Sequence, residues 1–357
     1  MSVTIIAEAG VNHNGDLAMA LDLVDAAAAA GADAVKFQTF KAEEIIGRHA
    51  PKAEYALRAT GADESFLDMV RKLELDEAAH RALIRRCAER AIAFLSTPFD
   101  RPSLALLAGP LGLKTLKLPS GELTNAPLLL DAARSGCAII LSTGMSTLGE
   151  VETALGVLAF GLLDESEPPG AEAFARAWGT AAGRQRVAER VTLLHCTTEY
   201  PAAFADVNLR AMDSLAQAFG VRVGLSDHTP GIAVALAATA RGATVIEKHF
   251  TLDRSLPGPD HQASLEPAEL TAMITGIRQV EAALGDGIKA PAAAELKNIP
   301  IARKCLVARR AIAAGEMFTA DNLAVKRAGG LASPLGYWAR LGTAAQRSHE
   351  PDEPLDP

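Results

Sequence analysis

The chain has 357 residues, 49% hydrophobic and 22% charged, which is a globular composition about two ordinary domains long. A formal net charge of −8 argues against general nucleic-acid binding, which needs a basic footprint. With no run near the roughly 18 apolar residues of a membrane helix, no basic leader, and no pairing pattern among Cys87, Cys137, Cys196 and Cys305, the expected compartment is a reducing cytoplasm, off the membrane.

In chain order, eight short apolar or β-branched runs predict strands at 3–7, 34–40, 92–96, 115–118, 138–142, 191–196, 221–225 and 244–248. The spacing between them is helical. Leu17, Ala20, Leu21, Val24 and Ala28 follow the i, i+3, i+4, i+7 rule, with Gly31 placed for a left-handed cap. His80, Leu83, Ile84, Cys87 and Ala91 repeat the pattern. Thr147 followed by Glu150 reads as a capping box opening a helix through Leu158. Leu270, Met273, Ile274, Ile277 and Leu284 form a last long helix that Gly285 closes.

Eight strands alternating with helices over about 285 residues predict an α/β fold of the (β/α)8 TIM-barrel type. An open doubly wound sheet is the alternative. It usually carries Gly-x-Gly-x-x-Gly after its first strand, where this chain has Ala9-Gly10-Val11-Asn12-His13-Asn14-Gly15. Residues 1–285 are read as the barrel, 286–298 as a linker and 299–357 as a small β-rich module with strands at 305–308 and 324–326. The acidic, Pro-rich tail 349–357 is expected to fray.

Barrel chemistry gathers at the C-terminal strand ends. Those ends carry Glu8, Lys36 with Gln38, Ser96-Thr97, Lys117 with Ser120, Ser142-Thr143, His195 with Tyr200, Asp227-His228, and Glu247 with His249. One such residue is ordinarily a satisfied structural group, but polar groups at all eight ends would each need a buried partner. His228 and His249 end adjacent strands and are candidate ligands of a divalent metal; the alternative is a core pair hydrogen-bonded to Asp227 and Glu247. His13, His195 and His261 are weaker candidates, and His49, His80 and His349 read as surface residues. Lys36, Thr97, Lys117, Ser120 and Ser142 form a ring of cations and hydroxyls suited to a phosphate or carboxylate. The alternative is that the lysines pair with Glu8, Glu122 or Glu247 and hold nothing. Cys196 reads as a small buried hydrophobe rather than a nucleophile.

Eight blocks in order carry a family resemblance. They are Ile6-Ala7-Glu8-Ala9-Gly10-Val11-Asn12-His13-Asn14-Gly15, Val35-Lys36-Phe37-Gln38-Thr39-Phe40, Ser96-Thr97-Pro98-Phe99-Asp100, Lys117-Leu118-Pro119-Ser120-Gly121-Glu122, Ser142-Thr143-Gly144-Met145, Gly224-Leu225-Ser226-Asp227-His228-Thr229, Glu247-Lys248-His249-Phe250-Thr251 and Pro257-Gly258-Pro259-Asp260. Together they resemble the sialic acid synthase family, which comprises N-acetylneuraminate, legionaminate and pseudaminate synthases. The module at the end of the chain resembles that family's antifreeze-like (SAF) domain. The resemblance implies condensation of phosphoenolpyruvate with an open-chain N-acetylmannosamine-type sugar and water, releasing phosphate. It implies a divalent ion, typically manganese with magnesium or cobalt as alternatives, on His228 and His249. It places Lys36, Thr97, Lys117, Ser120, Ser142 and Thr198 on phosphoenolpyruvate, although some relatives have Asn or Ser in place of Thr198. It places Gln38, Tyr200, Glu247 and Asp260 on the sugar, and Glu8, with Lys36, is expected in catalysis.

The resemblance further implies a domain-exchanged homodimer, in which Arg327 enters the partner's site. In Lys326-Arg327-Ala328-Gly329-Gly330, Ala328 replaces the family's proline, and losing that fixed φ loosens the loop. Residues 65–75 resemble the neuraminate and legionaminate branches more than the pseudaminate branch. Two other readings stand beside this one: a metal-dependent barrel aldolase acting on another phosphorylated ligand, and a non-catalytic sugar-binding relative.

Overall fold

Alternating apolar runs and amphipathic segments fold as strand and helix in turn. The computed structural model describes residues 2–51, 64–164 and 166–357. Eight strands form one sheet in the order β3-β2-β1-β8-β7-β6-β5-β4. They are β1 (Thr4–Gly10), β2 (Ala34–Thr39), β3 (Ala93–Pro98), β4 (Thr115–Leu118), β5 (Ala138–Ser142), β6 (Val191–Cys196), β7 (Arg222–Asp227) and β8 (Val245–His249). Every ladder between them is parallel, and β3 packs against β4 where the two ends of that order meet. The ring is closed, as the (β/α)8 reading requires.

Four strands run further than predicted: β1 to Gly10, β3 to Pro98, β7 to Asp227 and β8 to His249. Their last residues, Gly, Pro, Asp and His, are poor strand formers alone, but neighbouring backbone holds them. Glu8 registers with His249, and Asp227 with Lys248.

The caps predicted from sequence are present. Gly31 ends the Leu17–Ala30 helix at φ 87°, and Thr147 and Glu150 form a reciprocal capping box on the Leu148–Leu162 helix. Two helices that the apolar spacing does not announce, Ala171–Gly179 and Ala181–Arg190, lengthen the crossover from β5 to β6. His80 is buried rather than at the surface. Its Nδ1 donates to the Asp76 carbonyl (2.8 Å), which leaves Nε2 to accept from the Thr39 hydroxyl (2.7 Å).

The barrel interior is built in tiers by the two-residue strand period. Ile6, Ala34, Leu95, Ile140, Leu194 and Val245 form an apolar floor. Two residues further along each strand stand Glu8, Lys36, Thr97, Ser142, Cys196 and Glu247. Two more reach Gly10, Gln38, Phe99, Gly144, Thr198 and His249. Positions between these tiers point outward into the layer between sheet and helices, where Ile5, Val35, Phe37 and Leu141 join Leu23, Leu83 and Leu155.

Residues 286–357 form a second compact unit. Its β9 (Cys305–Ala308) and β10 (Leu323–Lys326) are antiparallel, over a core that includes Leu306, Ile312, Phe318 and Leu323. Within it, the segment read as a linker contains a helical turn, Ala293–Leu296. The tail does not fray. His349 bridges to Ile312, Pro354 bridges to Val307, and the Leu355 amide donates to the Leu306 carbonyl (2.9 Å). His349 and Leu355 are both buried, because these pairings supply the backbone partners that a loose tail lacks.

Candidate active site

The second tier places two lysines beside two carboxylates. Lys36 Nζ lies 2.5 Å from Glu8 Oε2 and 3.8 Å from Glu247 Oε2, and it donates to Thr97 Oγ1 at 2.8 Å. Lys117 Nζ lies 3.6 Å from Glu247 Oε1, which also accepts from Ser226 Oγ at 2.9 Å. The pairing that sequence raised as an alternative is therefore present, with Glu8 and Glu247 but not Glu122. It leaves donors over: Lys117 has three N–H groups, and its one hydrogen bond among the described residues is a long 3.3 Å contact to the Leu118 carbonyl.

Burial separates the titrations of these carboxyls. It pushes Glu8 up to about 7 against the pull of Lys36. It raises Glu247 as well, but Lys117, Lys36 and the Ser226 hydroxyl outweigh it and hold Glu247 at about 2. Burial pushes Asp260 up to about 6, opposed by His228 and Lys36. Glu8 is thus poised to gain or lose a proton near neutrality while Glu247 stays ionised.

Above them the hydroxyls converge on a glycine. A Cβ at Gly144 would lie 2.3 Å from Thr198 Oγ1 and 2.8 Å from Ser120 Oγ, and the Gly144 amide donates to Ser120 Oγ at 2.9 Å. Only a residue without a side chain lets both hydroxyls approach. Ser142 Oγ and Thr198 Oγ1 are buried without a hydrogen-bond partner, an arrangement that proteins tolerate mainly where a ligand or ion completes the bonds. Gly10, at φ 55°, plays the matching part on β1. A Cβ there would meet Glu8 Oε1, Gln38 Nε2 and Asp260 Oδ2 at 3.3 to 3.5 Å.

His228 and His249 face each other with ring centroids 5.5 Å apart, and Tyr200 lies 4.2 Å from the first ring and 5.7 Å from the second. His228 Nδ1 donates to the Thr197 carbonyl (2.7 Å), which leaves Nε2 to titrate or to bind a cation. Burial lowers the His228 pKa and the Cys196 thiol, 3.7 Å from Nδ1, raises it; the net shift is upward. Burial and His228 hold His249 well below its ordinary value. The buried His249 Nδ1 has no hydrogen-bond partner, and Asp260 Oδ2 stands 3.8 Å from it. This donor set fits a divalent cation of borderline softness. Among the described residues no group of three or more His, Cys, Asp or Glu side chains is arranged to hold a metal, so two imidazoles would leave the other positions to substrate and water.

The barrel residues singled out from sequence, Glu8, Lys36, Gln38, Thr97, Lys117, Ser120, Ser142, Thr198, Tyr200, His228, Glu247, His249 and Asp260, all line one cavity of about 380 Å³. Arg327 follows β10 in the second unit and is exposed. Other candidates fall elsewhere. Asp227 points out of the barrel and pairs with Lys248 at 2.8 Å, so it does not support His228. His195 bonds the Val207 carbonyl, His13 accepts from the Gly15 amide, and His261 bonds Thr251. Sequence reasoning passed over Ser226, which steadies Glu247, and Gly144. Strand period marks the first, since Ser226 lies two residues before His228; nothing in the residue types marks the second.

Comparison with known proteins agrees with this geometry. Residues 23–289 match the model of the NeuB family. The chain is 52% identical to the N,N'-diacetyllegionaminic acid synthase of Campylobacter jejuni, covering 98% of this chain and 97% of that one. It is 43% identical to the Legionella pneumophila protein of the same name, covering 92% and 86%. Among solved structures, the N-acetylneuraminic acid synthetase of Leptospira borgpetersenii, in complex with citrate, superposes with a TM-score of 0.68 at 35% identity, covering 84% of this chain and 90% of that one. A barrel with this set of interior residues, matched over most of its length, belongs to the NeuB family.

Proposed function

We propose that the protein condenses phosphoenolpyruvate with an open-chain N-acylated mannosamine-type sugar and water. The products are a nine-carbon 3-deoxy-2-keto sugar acid, of the N-acetylneuraminate or N,N'-diacetyllegionaminate kind, and inorganic phosphate. One observation carries the reading: two buried lysines, two unpartnered hydroxyls and a pair of imidazoles share a single cavity.

In the reaction a bond forms between C3 of phosphoenolpyruvate and the aldehyde carbon, the aldehyde oxygen takes a proton, water adds at C2, and the C2–O bond to phosphate breaks. Lys36 and Lys117 offset the carboxylate and phosphate charge, while Thr97, Ser120, Ser142 and Thr198 donate to their oxygens. Glu8, beside Lys36, holds or moves a proton at the aldehyde oxygen or the attacking water. Gln38, Tyr200, Glu247 and Asp260 orient the sugar. His228 and His249 would hold the cation, manganese or else magnesium or cobalt, whose chemistry is Lewis-acid polarisation of the aldehyde oxygen.

In the second unit, Leu331, Leu335 and Trp338 are 77, 92 and 78% exposed and share it with the exposed Arg327. These side chains support a homodimer in which that unit covers the partner's barrel mouth and brings Arg327 to the sugar's acyl group. Four free, buried cysteines suit a reducing cytoplasm, and no described helix is long and apolar enough to cross a membrane.

The test is phosphate release measured with each substrate omitted in turn, then after chelation and after manganese is restored. Release that requires phosphoenolpyruvate, amino sugar and cation together is expected. Release from phosphoenolpyruvate without the sugar would point to hydrolysis instead of condensation, no release with all three present to an aldolase acting on another phosphorylated ligand, and tight sugar binding without turnover to a binding protein. A monomeric mass in solution would remove the dimer.

A further inference from the structure

Two loops meet beside the cavity, one after β1 and one after β8. The second leaves the barrel at Phe250 and returns at Leu265. The Leu265 amide donates to the His249 carbonyl (2.9 Å), and its own carbonyl accepts from the Thr251 amide (2.8 Å). Between these two feet the loop carries Asp260 to the cavity. Asp260 Oδ2 stands 3.8 Å from His249 Nδ1, too far for a hydrogen bond, so that contact does not fix the residue. Its backbone is fixed twice. The Asp260 carbonyl accepts from Ser264 Oγ (2.7 Å) and from the Ala263 amide (3.2 Å).

Ser264 is held in turn from the loop after β1. Asn12 is buried, and its Nδ2 donates both hydrogens, one to the Phe250 carbonyl (2.9 Å) and one to Ser264 Oγ (3.0 Å). A carbonyl can only accept, which puts the amide nitrogen, not the oxygen, on that side. A single carboxamide thus pins the start and the end of the loop that carries Asp260. Asn14, two residues on, donates to the Pro257 carbonyl nearer its middle (2.8 Å). Asn12 itself is not part of the cavity lining.

We propose that Asn12 is a positioning residue for the sugar, acting through Ser264 to hold the Asp260 carboxylate beside His249. The inference rests on the reading of Asp260 as a sugar contact and adds the residue that places it. Both donors of this buried amide go to one loop, which fixes that loop in one arrangement. Without them the buried Phe250 carbonyl and Ser264 hydroxyl lose a donor, and the loop shifts to find another. A shift of about 1 Å in a group that orients substrate costs much of the binding it provides. Lys36 and Lys117 stand on β2 and β4, so the phosphoenolpyruvate cradle does not hang on this chain of bonds.

The experiment titrates the open-chain alditol of N-acetylmannosamine, which has no aldehyde and cannot react, into protein loaded with phosphoenolpyruvate and manganese, by calorimetry. Asn12→Ala should weaken its binding by about tenfold and Ser264→Ala by about threefold, with phosphoenolpyruvate affinity within about twofold of wild type. Asp260→Ala should weaken it at least as much as Asn12→Ala. The variant combining Asn12→Ala with Asp260→Ala should lose less than about twofold more, because the first residue acts through the second. Circular dichroism follows the fold, which a merely structural role would disturb without this pattern. Wild-type affinity in folded Asn12→Ala, a fully additive loss in the combined variant, or failure of both Asn12→Ala and Ser264→Ala to fold would overturn the inference alone. So would an equal loss of phosphoenolpyruvate affinity. Wild-type affinity in Asp260→Ala, or no binding of the alditol by the wild-type protein, would remove the sugar-contact reading and this inference with it.

Discussion

Glu8 shows how burial turns an ordinary carboxyl into a proton-handling group. It is 1% exposed, pushed up to about 7, and 2.5 Å from Lys36. Glu8→Gln keeps the shape and the Gln38 contact but cannot exchange a proton. Its kcat should fall by about 10²–10⁴, with the phosphoenolpyruvate KM within about twofold of wild type. Full turnover by the variant would remove Glu8 from the mechanism. Gly144 tests the cradle from the other side. Because a Cβ there meets Thr198 and Ser120 under 3 Å, Gly144→Ala should raise the phosphoenolpyruvate KM at least about tenfold while the fold, followed by circular dichroism, stays unchanged. Much of the site is legible from residue type, since Glu8, Lys36, Thr97, Ser142 and Glu247 interrupt otherwise apolar strands at one phase of the pleat. The same rule decides against Asp227, which is one residue out of phase with Ser226 and His228. The burial of His80 is less legible, because the Thr39 hydroxyl that satisfies its Nε2 arrives from the end of β2, 41 positions away.

At the level of elements, the Leu17–Ala30 and Glu77–Glu89 helices are clamped by Asp25. Its carboxylate accepts from Arg86 (2.8 and 2.5 Å) and from Arg90 (2.7 and 2.9 Å). The Arg90 and Arg86 hydrogen bonds lower the Asp25 pKa from 3.8 to about 2. A carboxyl with a depressed folded pKa contributes stability that is complete above its unfolded value and fades as pH falls through the folded one. Solvent screens this partly exposed cluster, so Asp25→Asn should cost about 1 kcal/mol in urea unfolding at pH 7. The gap between variant and wild type should close between about pH 4 and pH 2. A gap that persists at pH 2 would assign the loss to packing rather than charge. Asp25 is a helical polar residue with nothing in the sequence to mark its partners, which lie 61 and 65 positions away. Caps such as Thr147 with Glu150 were readable because both halves are local. The Ala171–Gly179 and Ala181–Arg190 helices were not, because Thr180 joins them with no longer apolar stripe to announce either.

Across the whole molecule, the two units draw on very different reserves of core. The barrel unit spans 1–285, and the second unit spans only 286–357. So small a body has roughly 3–5 kcal/mol to lose. Leu355, followed by only Asp356 and Pro357 in this sequence and 3% exposed, belongs to that core. Leu355→Ala should cost about 2–4 kcal/mol and melt the second unit while the barrel keeps its own transition in calorimetry. One unchanged transition would show that the tail contributes little. Composition suggested a loose end there, since acidic and proline-rich segments usually fray; the pairings of His349, Pro354 and Leu355 are long-range and leave no local mark.

The apolar floor beneath the tiers also bears on traffic. Ile6, Ala34, Leu95, Ile140, Leu194 and Val245 stop the barrel from below, so among the described residues the site is reached from the other end of the strands. Lys36, Thr97 and Ser142 stand nearest that stopper, with Gln38, Thr198 and His249 one storey higher. A guest lodged on the lower storey is roofed over by whatever arrives above it. On the two-substrate reading, a molecule held low in the barrel should leave more slowly once another sits above it.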